Sequence, residues 1–373
     1  MRILVFISYY LPGFKSGGPV KTLKNMVDNL DLDFYIVTLN HDINGDVYDV
    51  EINTWVEKFG SNIFYTDEVN INKKFFRKLI DEVNPDKVYI NSFFDRKFSM
   101  KFVGYNIFGY IFDKNNVIIS PRGEFSPGAL SFKFFRKYIY IQISNLCGIY
   151  KNYKFQASNS LEEFDIKKNL LCSGVNVASD IPDRKDFHGF IKSTNEFNVI
   201  HLSRITKMKN LIFCLKVFKK CSINLTFDIY GPIEDEEYWE LCCREIDQLP
   251  KNIKVNYFGE LDPQNLSSIV SKYHLLFLPS LGENFCHVIA ESFSCGVPVL
   301  VSDRTPWREL ESSCLGWDLS LDDFESFVNV LNNFRTSSIG MLSGFEIYNN
   351  YLSYFDLNNI IDSNYRLFGN EDY

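Results

Sequence analysis

Leu278–Leu310 reads LPSLGENFCHVIAESFSCGVPVLVSDRTPWREL. The apolar run closed by Pro279 and Ser280 reads as the end of a strand, Gly282 and Glu283 as a turn, and the stretch from near Phe285 as a helix. A second strand, Pro298–Val301, returns the chain to the sheet edge. Strand, turn, helix and strand in this order make the repeating unit of a parallel sheet with helical crossovers. Glu283 and Glu291 are eight residues apart, so the spacing puts the first at the helix entrance and the second about two turns along, on roughly the same face. The amides at the helix start, those of Asn284, Phe285 and Cys286, are suited to an anion or to hydroxyl groups, helped by the helix dipole. The spacing alone carries little, since 21 glutamates in 373 residues produce about one such pair by chance.

The same alternation extends outward in both directions. In the first half, Ile3–Ser8, Phe34–Thr38, Lys87–Asn91, Val117–Ser120 and Phe155–Ala157 read as strands, with helices at Val20–Leu30, Lys73–Val83 and Ser160–Asn169. IPDRKDFHGFIKSTN, Ile181–Asn195, is polar, contains Pro182 and Gly189, and reads as a linker. A second series follows: Val199–Leu202, Thr226–Tyr230, Lys254–Phe258, Leu275–Leu278 and Val297–Val301. The chain therefore divides into residues 1–180, a linker at 181–195, a second α/β unit at 196–353 and a terminal segment at 354–373. Two such units make a cleft, the usual ligand position for sheets of this kind.

Composition narrows the class. Hydrophobic residues make up 46% and charged residues 23%, which places the chain among globular proteins and not among disordered ones. Nine cysteines show no CxxC and no zinc-ligand spacing, so reduced thiols in a cytoplasmic protein are expected. No run reaches the roughly 18–20 apolar residues of a membrane span, and the N-terminal apolar run reads as a buried strand, not a leader. Residues 1–170 carry 22 basic and 19 acidic side chains, against 17 and 28 in the remainder. The basic residues of the first half cluster with aromatics in three places: Lys73–Lys78, Arg96–Lys101 and Phe132–Lys137. Such stretches suit an anionic membrane surface, or else form solvated helix faces with their phenylalanines in the core.

The pattern PS-x-G-E-x-F…E-S…G-x-P-V within Leu278–Leu310 resembles, nearly residue by residue, the donor-site signature of family-4 retaining glycosyltransferases of the GT-B fold. HLSRITKMKNL, His201–Leu211, agrees: Arg204 and Lys209 resemble the family's R-x4-K pair. Two cations at a strand end suit a diphosphate leaving group, the guanidinium as a fork and the ammonium as a point charge. Tyr10-Leu11-Pro12 with Gly17-Gly18 looks like the family's Gly-rich loop, where glycines let backbone amides approach an anion. SPRGEFSPGAL, Ser120–Leu130, looks like a loop found in a subset of these enzymes; Arg122 there serves either the diphosphate or acceptor, or a structural turn. Gly259-Glu260-Leu261 matches a turn that packs against the nucleobase in relatives. Tyr354–Phe368 looks like the family's closing helix.

The resemblance implies an α/β GT-B protein: two Rossmann-like domains facing across a cleft, the first binding acceptor, the second binding the nucleotide-sugar, and a C-terminal helix crossing back to the first. It implies a retaining, metal-independent transferase with no cofactor, the nucleotide-sugar being a co-substrate. Arg204, Lys209 and Glu283 are then catalytic. Gly17, Gly18, Gly259, Leu261, Asn284, Phe285, Cys286 and Glu291 bind donor, Glu291 through the ribose. The acceptor expected is a glycan or lipid-linked glycan of bacterial surface polysaccharide such as O-antigen or capsule, with peripheral contact to an anionic membrane and no nucleic-acid partner. A nucleotide-sugar epimerase and a non-catalytic scaffold subunit are the rival readings. Two departures stand out. The first half has only His41, in a loop without kinship to the family's histidine near the transferred sugar, and VNVASDIP, Val175–Pro182, replaces the usual Asn-Gly-x-Asp segment.

Overall fold

The computed structural model describes residues 1–131, 133–183, 187 and 197–369. It divides into two compact units, Met1–Ile181 together with Leu357–Tyr373, and Pro182–Asp356. Of the expected linker Ile181–Asn195, only 181–183 and 187 are among the described residues, and Phe132 also lies outside them.

The first unit holds β1 (Arg2–Phe6), β2 (Asp33–Leu39), β3 (Trp55–Lys58), β4 (Ser61–Thr66), β5 (Lys87–Asn91), β6 (Val117–Ser120), β7 (Lys154–Ala157) and β8 (Gly174–Val177). Its helices are α1 (Gly18–Asn29), α2 (Lys73–Val83), α3 (Ser99–Tyr105), α4 (Pro127–Ser131), α5 (Phe134–Leu146) and α6 (Ser160–Asn169). The second unit holds β9 (Phe197–Leu202), β10 (Leu225–Tyr230), β11 (Ile253–Tyr257), β12 (Leu275–Leu278), β13 (Val299–Ser302) and β14 (Gly316–Leu319). Its helices are α7 (Leu211–Phe218), α8 (Glu236–Ile246), α9 (Leu266–Val270), α10 (His287–Ser294), α11 (Phe324–Asn333) and α12 (Gly344–Tyr354). The last helix, α13 (Leu357–Phe368), belongs to the first unit.

In the first unit the strand order is β3-β4-β2-β1-β5-β6-β7-β8, parallel except for the β3–β4 pair. Side chains alternate across a strand, so a strand covered on both faces feeds two cores. Ile3 and Val5 of β1 pack with Val20, Leu23 and Met26 of α1 and with Tyr365, Leu367 and Phe368 of α13. Leu4 and Phe6 pack on the other side with Phe76, Leu79 and Val83 of α2 and Phe102 of α3. Helix α2 forms because Phe76, Leu79, Ile80 and Val83 recur at helical spacing on one buried face. Asn72 caps its start by accepting from the Lys74 and Phe75 amides, and Asn84 ends it in the left-handed conformation. Helix α13 is held by Asp31, whose amide donates to the Tyr365 hydroxyl (2.8 Å), and by Asn364, which donates to the Ser179 carbonyl (2.9 Å).

The second sheet runs β11-β10-β9-β12-β13-β14, all parallel. This is the doubly wound order in which three strands are laid to one side and three to the other, reversing between β9 and β12. All nine cysteines are free thiols, and Cys147, just past α5, is exposed. Among the described residues no helix is long and apolar enough to cross a membrane.

The ten strands read from sequence fall on β1, β2, β5, β6, β7 and β9–β13. The four that were not read are β3, β4, β8 and β14. Three of them end a sheet, and β3 and β8 are only half-covered, with no buried residue; such strands lack the continuous apolar signal of central ones.

Phe76 lies edge-on to Phe6 (5.1 Å between centroids) and to Phe102 (5.4 Å) with no exposed surface. Phe76→Ala is expected to lower unfolding stability by about 3–5 kcal/mol, measured by denaturant titration. A loss under about 1 kcal/mol would show that this core collapses around the cavity.

Candidate active site at the carboxyl edge of the second sheet

Parallel strands all point one way, so the loops after β9 to β13 gather along one edge, and the reversal between β9 and β12 opens a crevice there. The loop after β9 supplies Ser203–Asn210 and the loop after β12 supplies Pro279–Cys286. They are laced together: the Leu281 amide donates to the Met208 carbonyl (2.8 Å) and the Asn210 side chain donates to the Pro279 carbonyl (3.1 Å). The Glu283 amide donates to Arg304 in the loop after β13 (3.1 Å).

This lacing brings Lys209 to Glu283. The ammonium donates to Glu283 Oε1 at 2.5 Å, with side chains only 16% and 9% exposed. Burial alone would drive the lysine toward neutrality. The Glu283 carboxylate more than offsets that and holds the ammonium above its ordinary value, against a smaller opposing effect from Arg204. A charged, water-poor cation thus stands beside the switch point.

Beneath it lies His201 on β9, fully buried. Its Nδ1 is 2.9 Å from the Phe277 carbonyl and its Nε2 is 2.8 Å from Ser203 Oγ. A carbonyl only accepts, so Nδ1 carries the proton and Nε2 accepts from the serine hydroxyl. Burial, with a further push from the Lys209 ammonium, depresses the imidazole to about 4, so it is neutral near pH 7. No sequence signal marked this histidine beyond its place in HLSR, because its role depends on the neighbouring strand.

Arg204 is also here, but its guanidinium faces Glu234 in the loop after β10, with Nη1 3.1 Å from both carboxylate oxygens and half of the side chain exposed. An exposed pair of this kind contributes at most about 1 kcal/mol, so the arginine is easily drawn to another anion. The β10 and β11 loops join this edge through Gly231, whose amide donates to the Gly259 carbonyl (2.7 Å). A Cβ at Gly231 would lie 1.8 Å from the Ser203 carbonyl, at φ +137, so only glycine lets the two loops approach. Leu261 packs partly buried on the core. Beside Gly259, Phe258 stacks on Tyr230 at 4.9 Å and 13° and is half exposed.

The helix after Glu283 starts later than its sequence suggests. Phe285 is buried against Trp307, whose indole donates to the Phe285 carbonyl (2.5 Å), and Cys286 caps the helix in a left-handed conformation (φ 68). Asn284, Phe285 and Cys286 therefore precede α10, and the helix-start amides belong to His287 and its successors. Glu283 stays in the loop while Glu291 is the fifth residue of α10, so the two do not share a helix face. Burial, then the Glu283 carboxylate and more weakly that of Glu291, push the Cys286 thiol well up against an opposing effect from Lys209. Glu291 lines a small recess with Asp183, Leu266, Ser267 and Ser294.

The remaining candidates lie in the first unit. Gly17 (φ 72) caps α1 with open space where a Cβ would stand, and Gly18 is the first helical residue. Arg122 is committed internally: its guanidinium reaches Asp180 (2.5 Å), Asn91 (2.9 Å) and the Tyr89 hydroxyl (2.6 Å), and the pair with Asp180 is buried. Asp180 also accepts from Thr22 (2.8 Å). These contacts occupy three of the five N–H donors of the guanidinium.

Residues 183–313 match the family described as glycosyl transferases group 1. This segment is similar to a group 1 glycosyl transferase domain. No curated protein matches the sequence. Among solved structures, the HepE protein of Anabaena, crystallised with UDP and glucose, is 14% identical over 98% of both chains, with TM-score 0.66. WaaG, a glycosyltransferase involved in lipopolysaccharide biosynthesis, is 11% identical over 98% of this chain and 99% of that one, with TM-score 0.67. Sucrose-phosphate synthase from Thermosynechococcus elongatus is 13% identical over 99% and 98%, with TM-score 0.70. Likeness at this identity establishes the fold, and the fold is GT-B. Within the group 1 segment fall Arg204, Lys209, Gly259, Leu261, Glu283 and Glu291.

The depressed imidazole has a consequence for stability. An unfolded His201 takes up a proton near pH 6.5 and the folded one only near 4, so the unfolded state binds more protons in between. Its contribution is fully present above pH 6.5 and falls away towards pH 4, by about 3 kcal/mol in all. His201→Asn, which keeps a donor for the Phe277 carbonyl, should be less stable at pH 7 and show a shallower slope between pH 4 and 6.5. Chemical unfolding followed across that range checks this, and an unchanged slope would reassign the acid sensitivity to other groups.

Proposed function

We propose that the protein is a retaining, metal-independent family-4 glycosyltransferase that moves a sugar from a nucleotide-diphosphate sugar to a glycan or lipid-linked glycan in bacterial surface-polysaccharide assembly. The buried Lys209–Glu283 pair at the switch point carries this reading. When the bond between the anomeric carbon and the diphosphate breaks, negative charge grows on the departing oxygen, and a preorganised cation out of water is the group that stabilises it. Lys209 fills that role, and Arg204, weakly held by Glu234, joins it as a fork on the phosphates. Glu283, freed from sole service to the lysine, accepts from sugar hydroxyls, and Glu291 accepts from the ribose. Gly259 and Leu261 border the base. Asn284, Phe285 and Cys286 shape the loop against the sugar, and Gly17 and Gly18 offer the first unit's backbone to the donor. No resident cofactor takes part.

The nucleotide and sugar bound by HepE support a nucleotide-sugar donor, and the role of WaaG supports a surface-glycan acceptor. Retention rests on the family resemblance. Peripheral contact with an anionic membrane, at the inner face of the cytoplasmic membrane, fits a lipid-linked acceptor.

Lys209→Ala should reduce turnover by about 10²–10³, the scale of losing one oxyanion donor. The donor is first found by a thermal-shift screen of UDP-, GDP-, ADP- and dTDP-sugars, the true one raising the melting temperature with concentration. Unimpaired turnover in the lysine variant would sink the catalytic assignment, and epimerised sugar appearing with donor alone would sink the transferase reading.

A further inference from the structure

Packing separates three stretches that look alike in sequence. In Lys73–Lys78, Phe76 is fully buried, and in Arg96–Lys101, Phe98 is too; both are solvated faces with their rings in the core. Helix α5 is different, with only Ile141 and Ser144 buried. Phe135, Ile139, Ile143 and Leu146 are 77%, 55%, 53% and 88% exposed. Their spacing of four, four and three makes one continuous stripe along the helix. Phe134 and Tyr138, half exposed, stack beside it at 5.5 Å and 21°.

Along the chain, the charge flanking this stripe has one sign. From Phe125 to Leu161 there is no acidic residue, and there are five cations, Lys133, Arg136, Lys137, Lys151 and Lys154, in a chain of net charge −8. Lys137 turns inward, donating to the Ala129 carbonyl (2.7 Å) and lying over the Phe94 ring. Lys133 and Arg136 have no acidic partner among the described residues.

We propose that α5 is a membrane-docking helix that lies in the interface of an anionic phospholipid bilayer, Phe135, Ile139, Ile143 and Leu146 entering the acyl boundary while Lys133 and Arg136 meet headgroup phosphates. Thirteen residues give a helix of about 20 Å, enough to lie in the interface plane and too short to span. Aromatic rings flanking an apolar stripe suit the headgroup level. A second copy of the chain fits worse, because pairing two such faces would bring their cations together without an intervening acid. The proposal deepens the membrane contact suggested above, yet it needs no glycosyl transfer. Vesicle binding is read without donor or acceptor, so its failure and that of the transferase reading are separate events.

The test is cosedimentation of the full chain with vesicles of phosphatidylcholine alone or with about one third phosphatidylglycerol. Binding is expected only to the anionic vesicles and should weaken in about 0.5 M salt. The triple variant F135S/I139S/L146S should bind at least about tenfold more weakly, as should K133E/R136E. Both should melt like the parent, since none of these side chains is in the core. Binding to neutral vesicles as strong as to anionic ones, or variants that bind like the parent, would overturn the proposal. So would absence of vesicle binding together with a dimer that the triple variant dissolves, which would assign the stripe to a second copy.

Discussion

A lysine and a glutamate held together mostly out of water are the constraint around which the second unit is arranged. Neither charge is tolerable there alone, because an unpaired buried ion costs several kcal/mol. Lys209 and Glu283 lie 74 residues apart in sequence and meet only because β9 and β12 are neighbours at the reversal of the sheet. The hydrogen bonds from Leu281 and Asn210 fix the two loops so that the pair forms. His201 beneath them stays neutral and spends its proton on Phe277. Among the described residues Glu283 takes one of the three donors of the ammonium.

The first unit is organised by a different pair with a different outcome. Arg122 and Asp180 are also buried and also opposite in charge, and Asn91, Tyr89 and Thr22 add hydrogen bonds to the pair. A pair braced in this way ties the loop after β6 to β5 and to Asp180. The two cations differ in company: among the described residues Lys209 has a single side-chain acceptor, whereas Arg122 donates to three side chains.

Much of this was legible in the sequence. The strand–turn–helix setting of Glu283 and the R-x4-K pair pointed to loops that lie along one sheet edge, because apolar central strands and glycine turns are local signals. The order of the strands was not legible, and with it went the partners that depend on lateral neighbours, His201 with Phe277 and Arg204 with Glu234. The start of α10 was misjudged by about two residues because Trp307, 22 positions away, draws Phe285 into the core. The basic-aromatic stretches could not be told apart by composition. Whether Phe76 or Phe135 faces the core is decided by what the rest of the chain packs above it.

The close approach at Gly231 has a mechanical consequence. Ser203 is bonded through its amide to Tyr230, and Gly231 to Gly259, so three successive loops are riveted backbone to backbone along one rim. Opening any one of them breaks a backbone hydrogen bond to its neighbour. A ligand settling on that rim meets a surface already stiff, and the ordering entropy that a loose set of loops would lose on binding was spent when the domain folded.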